Sequence, residues 1–395
     1  MIRQATTAFA DLSQVSCSAA PCNTLAQFPR PFLPHALPML TRRQWLIAAL
    51  AAPAAGAAAS YPPVVPHALA FPHDYGAHPD FRLEWWYLTG WLEGHRADPA
   101  IGFQITFFRT RLDLSPNPSA FSANQLVIAH AAIADPRAGQ LLTDERIARA
   151  GLGAVFARAG DTDLALDRWR FSRDAASGVY RGEIPARDFQ LSLTARPTQP
   201  VLLQGRAGWS RKGPLPAQAS YYYSEPQLAV MAQVRRDGRS ESRHGIAWLD
   251  HEWSSSLLDP RAAGWDWIGM NLADGSALTA FQMRAQAPGT APLWSYAALR
   301  APGGAVQTFA PEQVSFTPTA TWISPRTRAT WPVAQSLRVG RRRFETRPLM
   351  PDQELDSRRT SGAVYWEGAS TLLEAGQPVG RGYLEMTGYV APIQL

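Results

Sequence analysis

Gly245-Ile246-Ala247-Trp248-Leu249-Asp250-His251-Glu252-Trp253 places two carboxylates, an imidazole and two indoles within nine residues. Successive side chains of a β-strand point to opposite faces. A strand here has Trp248, Asp250 and Glu252 on one face and Leu249, His251 and Trp253 on the other. Buried carboxylates and imidazoles are costly unless they are paired. The stretch therefore predicts either a satisfied polar network or a functional site.

Short aromatic and β-branched runs, separated by Gly, Pro, Asp and Asn, occupy most of the chain around this stretch. Many short strands at this spacing predict an all-β protein built from antiparallel barrels or sandwiches. One short pattern, at 143–150, is moderately helical. The predicted strands are 81–92, 101–109, 126–134, 165–173, 178–184, 189–195, 219–223, 265–272, 277–283, 294–299, 344–348, 364–373 and 382–389.

A weak internal repeat relates the two halves of the chain. Residues 85–92 align without gaps on 265–272, matching Trp85 with Trp265 and Leu92 with Leu272. A turn and a second strand follow in both copies. Repeated units of this kind predict repeated structure, so we expect two β-barrel domains, with the 245–253 stretch just before their junction. The expected bounds are 79–257 and 258–395, preceded by an exposed linker at 60–78.

Residues 1–59 have the features of an export segment. Arg42 and Arg43 precede an apolar run at 45–52, and 57–59 is a plausible cleavage region. The paired arginines resemble a twin-arginine signal, which predicts a periplasmic or secreted protein. The run is too short to span a membrane, although an uncleaved anchor is the alternative. Met39 immediately precedes this unit and is the expected start, which makes the residues before it a mis-annotated extension.

Composition and missing motifs exclude several function classes. The formal charge of +6 comes from scattered arginines, with Lys212 as the only lysine, so nucleic acid is not an expected partner. Cys17 and Cys22 both lie in the export segment, which leaves no disulfide or thiol chemistry for the mature protein. The chain has no Gly-x-Ser-x-Gly, His-Glu-x-x-His or glycine-rich phosphate loop. We therefore expect no α/β serine hydrolase, no metal and no cofactor.

Three clusters combine acids or phenols with aromatics: 84–87, 221–223 and 265–267. Their tryptophans could simply fill barrel interiors, with the acids paired to arginines such as Arg109 and Arg284. Three such clusters in one chain instead favour an enclosed apolar pocket with a few polar groups. The expected ligand-binding residues are Glu84, Trp86, Tyr87, Tyr222, Trp248, Trp253, Trp265 and Trp267.

The expected catalytic residues are Asp250, His251 and Glu252. Burial raises the pKa of a carboxyl group, so an acid in an apolar pocket can hold a proton near neutral pH. Such a proton on Asp250 or Glu252 could start the hydration of an alkene, with water positioned by His251. The π-faces of Trp248 or Trp253 would shield the carbocation.

The chain resembles the AttH-type proteins, two-domain lipocalin-like proteins related to carotenoid 1,2-hydratase and often described as predicted secreted hydrolases. The resemblance is carried by motifs in the expected order: Glu84-Trp85-Trp86-Tyr87-Leu88-Thr89-Gly90, Tyr221-Tyr222-Tyr223-Ser224, Trp248-Leu249-Asp250-His251-Glu252-Trp253, Trp265-Asp266-Trp267, Tyr365-Trp366-Glu367-Gly368 and Gly382-Tyr383-Leu384-Glu385-Met386-Thr387-Gly388-Tyr389. It implies two lipocalin-like β-barrels related by a pseudo-twofold axis.

The resemblance also implies acid–base residues in the Asp-His-x-Trp segment, here Asp250, His251 and Trp253. The tyrosine and aspartate expected on a following strand are absent from 275–281. Three functions therefore stay open: a hydratase, a carrier without chemistry, and an assembly factor that uses the barrel surface. The first two share an apolar partner, a lipid or isoprenoid. Peripheral membrane association is an open expectation, and the sequence gives no oligomeric state.

Overall fold

The computed structural model of the protein describes residues 61–94, 98–112, 124–151, 153–256, 258–287 and 289–393. These residues lie within one compact unit, Gly56–Leu395. The expected export segment and the start at Met39 lie outside the described residues. Within the described ranges, none of the helices has the length and apolar character needed to cross a membrane.

The described residues form two antiparallel sheets and two short 3₁₀-helices, His73–Tyr75 and Pro311–Gln313. The strands of sheet 1 are β1 (Leu83–Leu92), β2 (Ile101–Arg111), β3 (Gln125–Ala134), β4 (Leu141–Arg149), β5 (Val155–Ala157), β6 (Asp163–Leu166), β7 (Trp169–Arg173), β8 (Tyr180–Pro185), β9 (Gln190–Arg196), β10 (Leu202–Leu203), β11 (Trp209–Arg211), β12 (Ala219–Arg236) and β13 (Arg239–Ser256).

Sheet 2 follows sheet 1 along the chain. Its strands are β14 (Ala262–Leu272), β15 (Ala277–Ala285), β16 (Trp294–Arg300), β17 (Val306–Phe309), β18 (Val314–Ile323), β19 (Thr330–Val339), β20 (Arg342–Pro348), β21 (Glu354–Ser357), β22 (Ala363–Glu374) and β23 (Gln377–Thr387).

The two sheets curl into a barrel and a half-barrel, and the described residues contain no α-helix. The prediction of an all-β, two-part lipocalin-like fold is confirmed. Turn residues behave as expected: Gly275, between β14 and β15, has φ 87°, a conformation that favours glycine. The domain bounds drawn from the sequence remain predictions.

The order of strands repeats between the sheets. Sheet 1 runs β4-β3-β2-β1-β13-β12-β9-β8-β7-β6-β5, and sheet 2 runs β17-β16-β15-β14-β23-β22-β20-β19-β18. Thus β14 takes the place of β1, β23 that of β13 and β22 that of β12. The short strands outside these two orders are placed equivalently, because β10 and β11 pair with β12 while β21 pairs with β22. The internal repeat seen in the sequence is therefore a repeat of topology.

The contact between the sheets is reciprocal. Trp91 Nε1 on β1 donates to the carbonyl of Gly382 on β23, at 2.9 Å. Asn271 Nδ2 on β14 donates to the carbonyl of Ala247 on β13, at 3.1 Å. When Trp85 is aligned with Trp265, Trp91 aligns with Asn271. The pairing of β1 with β13 and of β14 with β23 then makes Ala247 equivalent to Gly382. Contacts that exchange in this way are the signature of a pseudo-twofold arrangement.

Apolar side chains form separate cores inside the two sheets and between them. Trp86 and Leu88 belong to the core of sheet 1, whereas Trp331 and Trp366 belong to that of sheet 2. The core between the sheets contains Tyr87, Trp91, Trp248, Trp267, Phe281 and Tyr383. The sheets touch closely at Gly102 on β2, where an added Cβ would lie 2.6 Å from the Cβ of Ala369. Each strand near the interface therefore faces one core on each side.

One prediction about local structure was wrong. The pattern at 143–150 is not helical, because β4 pairs with β3 along its whole length. Of the residues of β4, only Asp144 is fully buried. The segment at 61–78 is partly exposed, but Val64, Asp74 and Ala77 are buried. Val64 packs with Tyr221 and Trp253, which ties the segment to sheet 1.

Candidate functional site

A cavity of about 310 Å³ lies between the two sheets. Its walls come from β1, β2, β3, β12 and β13 of sheet 1 and from β14, β15, β22 and β23 of sheet 2. Its volume is at the lower end of the range for sites that enclose small molecules. The apolar part of the wall consists mainly of Trp85, Phe108, Trp265, Trp267, Phe281 and Met283.

Asp250 on β13 belongs to the sheet 1 wall and is held by three hydrogen bonds. Its carboxyl accepts from Tyr222 Oη at 2.5 Å, Ser224 Oγ at 2.5 Å and Trp248 Nε1 at 2.6 Å. Burial raises the pKa of Asp250 to about 7, although these hydrogen bonds favour the carboxylate. Trp267 Nε1 from sheet 2 donates to the same Tyr222 hydroxyl at 3.1 Å. A carboxyl that can exchange its proton near neutral pH thus faces the cavity.

Glu252 lies two residues further along β13 and faces the same cavity. Its Oε1 is 2.9 Å from Lys212 Nζ, an ion pair in which both side chains are almost fully buried. The Lys212 ammonium also lies over the rings of Tyr222 at 4.3 Å and Phe281 at 4.5 Å. These contacts hold the only lysine of the chain against the wall.

Sheet 2 contributes two more carboxyls, Glu367 on β22 and Glu385 on β23, which are directly paired across the two strands. Glu367 is buried, Glu385 is partly buried, and both line the cavity. Trp265 Nε1 donates to Glu385 Oε1 at 2.9 Å. Burial raises the pKa of each group, and for Glu367 the charge of Glu385 raises it further. The sheet 2 wall therefore carries two acids that keep their protons to a higher pH than ordinary carboxyls do.

His251 points to the other side of β13, away from the cavity. Its Nε2 lies 2.9 Å from Glu84 Oε1 and its Nδ1 3.1 Å from Tyr223 Oη. The ring stacks on Trp86 with centroids 4.4 Å apart. Burial lowers the pKa of His251 to about 4, against the attraction of Glu84. A neutral ring that donates from Nε2 and accepts at Nδ1 satisfies both partners.

Glu84 is the centre of this second polar group. Its Oε2 accepts from Arg109 Nε at 2.8 Å, and its Oε1 lies 2.7 Å from His78 Nδ1. Burial alone would raise the pKa of Glu84, but hydrogen bonds from His251 and His78 lower it. His78 in turn reaches Asp74 at 3.3 Å. This network fixes the 61–78 segment to β1 and β13.

Two groups of described residues bring three metal-ligand atoms together: His73 with Asp74 and His78, and His78 with Glu84 and His251. In the second group both histidines contact the same Glu84 oxygen at hydrogen-bond distance, and Arg109 occupies the other oxygen. The donor set is thus already paired, and the contacts fit a structural network.

The structure divides the residues singled out in the sequence between two environments. The residues that line the cavity are Asp250, Glu252, Tyr87, Tyr222, Trp265 and Trp267. Glu84 also borders it, but its carboxylate is bound by Arg109 and His251 on the other side. Trp248 lies behind the wall and contacts it through Asp250 and Trp267. His251, Trp86 and Trp253 are on the opposite side with the Glu84 carboxylate, where His78 stacks on Trp253 at 3.8 Å. The strand alternation of 248–253 is confirmed, and its two faces do not share one pocket.

Sequence reasoning missed Lys212, Glu367 and Glu385 as members of the cavity wall. Lys212 had one signal, because it is the only lysine in the chain. Glu367 and Glu385 each lie in a strand among aromatic and apolar residues, in 365–368 and 382–389. Stretch 248–252 has the same pattern of acids among aromatic and apolar residues. That shared pattern is the signal that could have identified Glu367 and Glu385.

This chain is similar to known proteins in sequence and in fold. A family model described as AttH-like matches residues 62–389. The structure of an AttH protein from Nitrosomonas europaea is 54% identical in sequence, with a TM-score of 0.78, and the match covers 83% of this chain and 99% of that one. Among the curated proteins, none matches.

Two more distant structures share the fold. Kievitone hydratase from Nectria haematococca matches with a TM-score of 0.60 and 13% identity, over 84% of this chain and 98% of its own. CghA matches with a TM-score of 0.50 and 12% identity, over 84% and 96% of the respective chains. At these identities the likeness extends to the fold alone.

Proposed function

The chain belongs to the AttH-like family, and on this premise we propose that its cavity binds an apolar small molecule and that Asp250 catalyses addition of water to that molecule, or its removal. The molecule would carry a carbon–carbon double bond or, for the reverse reaction, a tertiary or allylic hydroxyl. Lipids and isoprenoids are the classes that combine such groups with an apolar body.

The observation that carries this proposal is the setting of Asp250. Its carboxyl is buried, faces a cavity with indole walls and has a pKa of about 7. General acids work best when their pKa is close to the working pH. Tyr222, Ser224 and Trp248 hold the carboxyl in place, so its proton has a fixed direction.

The reaction balances without a further reagent. Asp250 transfers its proton to one carbon of the double bond, and the π-electron pair forms the new carbon–hydrogen bond. The neighbouring carbon becomes a cation, which Trp265 and Trp267 would stabilise by cation–π attraction. Water then bonds to that carbon through its oxygen and releases a proton, which restores the acid. Dehydration follows the same steps in reverse.

A hydratase among proteins of the same fold makes water addition the first chemistry to test. The shared fold does not transfer activity by itself. A carrier without chemistry would use the same cavity, with Asp250 as a hydrogen-bonding group for a polar head. The two functions predict the same binding and differ only in turnover.

Isotope-labelled water separates these functions. Apolar compounds that copurify from the native host, together with farnesol and linalool as defined probes, are incubated with the protein in ¹⁸O-labelled water and analysed by mass spectrometry. Quenching of tryptophan fluorescence measures binding of the same probes. A hydratase incorporates ¹⁸O into a bound compound, and Asp250→Asn keeps binding but loses at least about 100-fold in labelling rate.

Glu225→Gln is the matched control. Burial raises the pKa of Glu225 to about 7 as well, but this group binds Tyr180 inside sheet 1 and does not line the cavity. It should keep both binding and labelling. Binding without labelling in the wild type would identify a carrier. If no apolar compound copurifies, quenches fluorescence or raises the melting temperature, the cavity is not a binding site for such molecules.

Export is part of the same proposal, since residues 39–59 carry the expected signal. Cell fractionation and N-terminal sequencing of the native protein test it. A periplasmic protein that begins near residue 60 agrees with a cleaved signal. A cytoplasmic protein that retains residues 39–59 contradicts export.

A further inference from the structure

Asp250 has a counterpart in sheet 2. Asp250 is paired with Tyr87 between β13 and β1, and Glu385 is paired with Trp267 between β23 and β14. Laying Trp85 on Trp265 makes Tyr87 equivalent to Trp267, so the register makes Asp250 equivalent to Glu385. Each sheet thus supplies a carboxyl to the cavity from the same position. The pseudo-twofold arrangement places these groups on opposite walls.

The neighbours of the two carboxyls differ in one respect. On β12, Ser224 is paired with Asp250 and donates to it. On β22, the equivalent position holds Glu367, which is paired with Glu385. A hydroxyl donor in sheet 1 is replaced by a second acid in sheet 2. Two neighbouring carboxyls can share a proton, which one carboxyl beside a hydroxyl cannot do.

Glu367 also has an unused hydrogen-bonding atom. Its side chain is 2% exposed and lines the cavity, and its Oε2 has no hydrogen-bond partner in the described part of the chain. The Tyr87 hydroxyl on the facing wall is likewise buried and unpartnered among the described residues. Buried polar atoms are rarely left unpaired. Each wall therefore has one unpaired polar atom with which a polar group of a bound molecule could pair.

We propose that Glu367 and Glu385 form the second acid–base centre of the cavity. The two carboxyls share one proton and exchange it with the water that adds to, or leaves, the bound molecule. This inference rests on the proposed function. When the bound molecule has accepted a proton from Asp250, the oxygen of water bonds to the cationic carbon. The pair, carrying one proton and one negative charge, takes the proton that this water releases.

The cycle then closes by proton exchange. The pair returns its extra proton to solvent or to the ionised Asp250, so no oxidant, reductant or third reactant is needed. Two acids on opposite walls would deliver the proton and the hydroxyl from opposite sides of the double bond. The titratable or charged groups that surround the pair are Tyr87, Tyr365, Tyr383, Asp250, Glu252 and Lys212.

The first test needs no substrate. Infrared difference spectroscopy of the full chain during a pH titration follows the carbonyl band of protonated carboxyls, and Glu367→Gln and Glu385→Gln identify the pair. A shared proton predicts one carboxyl of the pair protonated at pH 7. It also predicts that Glu367→Gln moves the titration of Glu385 to lower pH, because a neighbouring negative charge is removed. Both carboxyls ionised, or both protonated, at pH 7 in the wild type would overturn the inference.

The second test uses the labelled-water reaction with the compound that takes up label. Glu385→Gln should lower kcat at least about 100-fold with little change in KM, and Glu367→Gln should shift the limb of the pH–rate profile that follows the pair. Glu385→Asp, which keeps the acid, should recover part of the rate. If both Gln variants kept the wild-type kcat and pH profile while Asp250→Asn still lost activity, the catalytic role of the pair would be overturned. If the wild type takes up no label, the proposed function fails and the infrared titration alone decides whether the pair shares a proton.

Discussion

Asp250 and His251 are consecutive residues whose side chains lie on opposite faces of β13. Asp250 faces the cavity between the sheets, whereas His251 faces the interior of sheet 1 and binds Glu84 at 2.9 Å. The alternation of a strand requires this separation. One carboxyl is therefore available to a ligand, and its neighbour belongs to a structural network.

Asp250 should make stability depend on pH. Its pKa of about 7 in the folded protein lies above the ordinary value of 3.8, so the folded state binds this proton more tightly. The resulting stabilisation is full below pH of about 4 and is lost as the pH rises through 7. Asp250→Asn has no such proton. Relative to the wild type, its free energy of unfolding should rise between pH 4 and 8 by at most about 4 kcal/mol.

Urea unfolding at several pH values measures this difference. Glu225→Gln should show the same trend, because burial also raises the pKa of Glu225 to about 7. Unlike Asp250→Asn, it should leave labelling in ¹⁸O water unchanged. A constant difference between the wild type and Asp250→Asn from pH 4 to 8 would contradict the raised pKa.

Replacing His251 should affect stability more than function. In His251→Gln, the contacts to Glu84 and Tyr223 are lost or rearranged inside a buried network. We expect a loss of about 1–3 kcal/mol in the free energy of unfolding. Binding of farnesol, measured by fluorescence quenching, should stay within about twofold of the wild type. A stable variant with a large loss of turnover would instead support a direct role in positioning water.

The sequence alone predicted the fold well and the site only in part. Strands, the repeat and the two faces of 248–253 follow from local periodicity, which a single chain contains. Which face borders the cavity depends on how the sheets meet, and that is set by distant contacts such as Trp91 with Gly382. Glu385 could not be linked to Asp250 before the strand registers were known. The helical pattern at 143–150 was misleading because pairing with β3 outweighs local propensity.

Lys212 should stabilise the cavity wall through Glu252. Lys212→Met leaves a buried carboxylate without its partner, and we expect a loss of about 3 kcal/mol in the free energy of unfolding. The double variant Lys212→Met/Glu252→Gln should recover most of this loss, because the unpaired charge is removed as well. Chemical denaturation of the single and double variants measures the coupling.

An exposed ion pair provides the control for this cycle. Arg358 and Asp356 are paired on the surface of sheet 2, with side chains 57% and 33% exposed. Arg358→Met should have no measurable effect, since solvent screens such pairs. Equal effects of Lys212→Met and Arg358→Met would show that burial of the Lys212 pair does not matter.

The reciprocal contact between the sheets predicts equivalent sensitivity at Trp91 and Asn271. Asn271→Ala removes the donor to Ala247 and also the acceptor that receives the backbone N–H of Gln227 at 2.7 Å. Buried groups left unpaired in this way cost about 1–3 kcal/mol each. Trp91→Phe removes the donor to Gly382 and part of a buried indole, so it should cost a similar amount. Urea unfolding measures both, with Gln307→Ala on the exposed part of β17 as a neutral control. Neutral behaviour of Asn271→Ala would mean that these hydrogen bonds do not hold the sheets together.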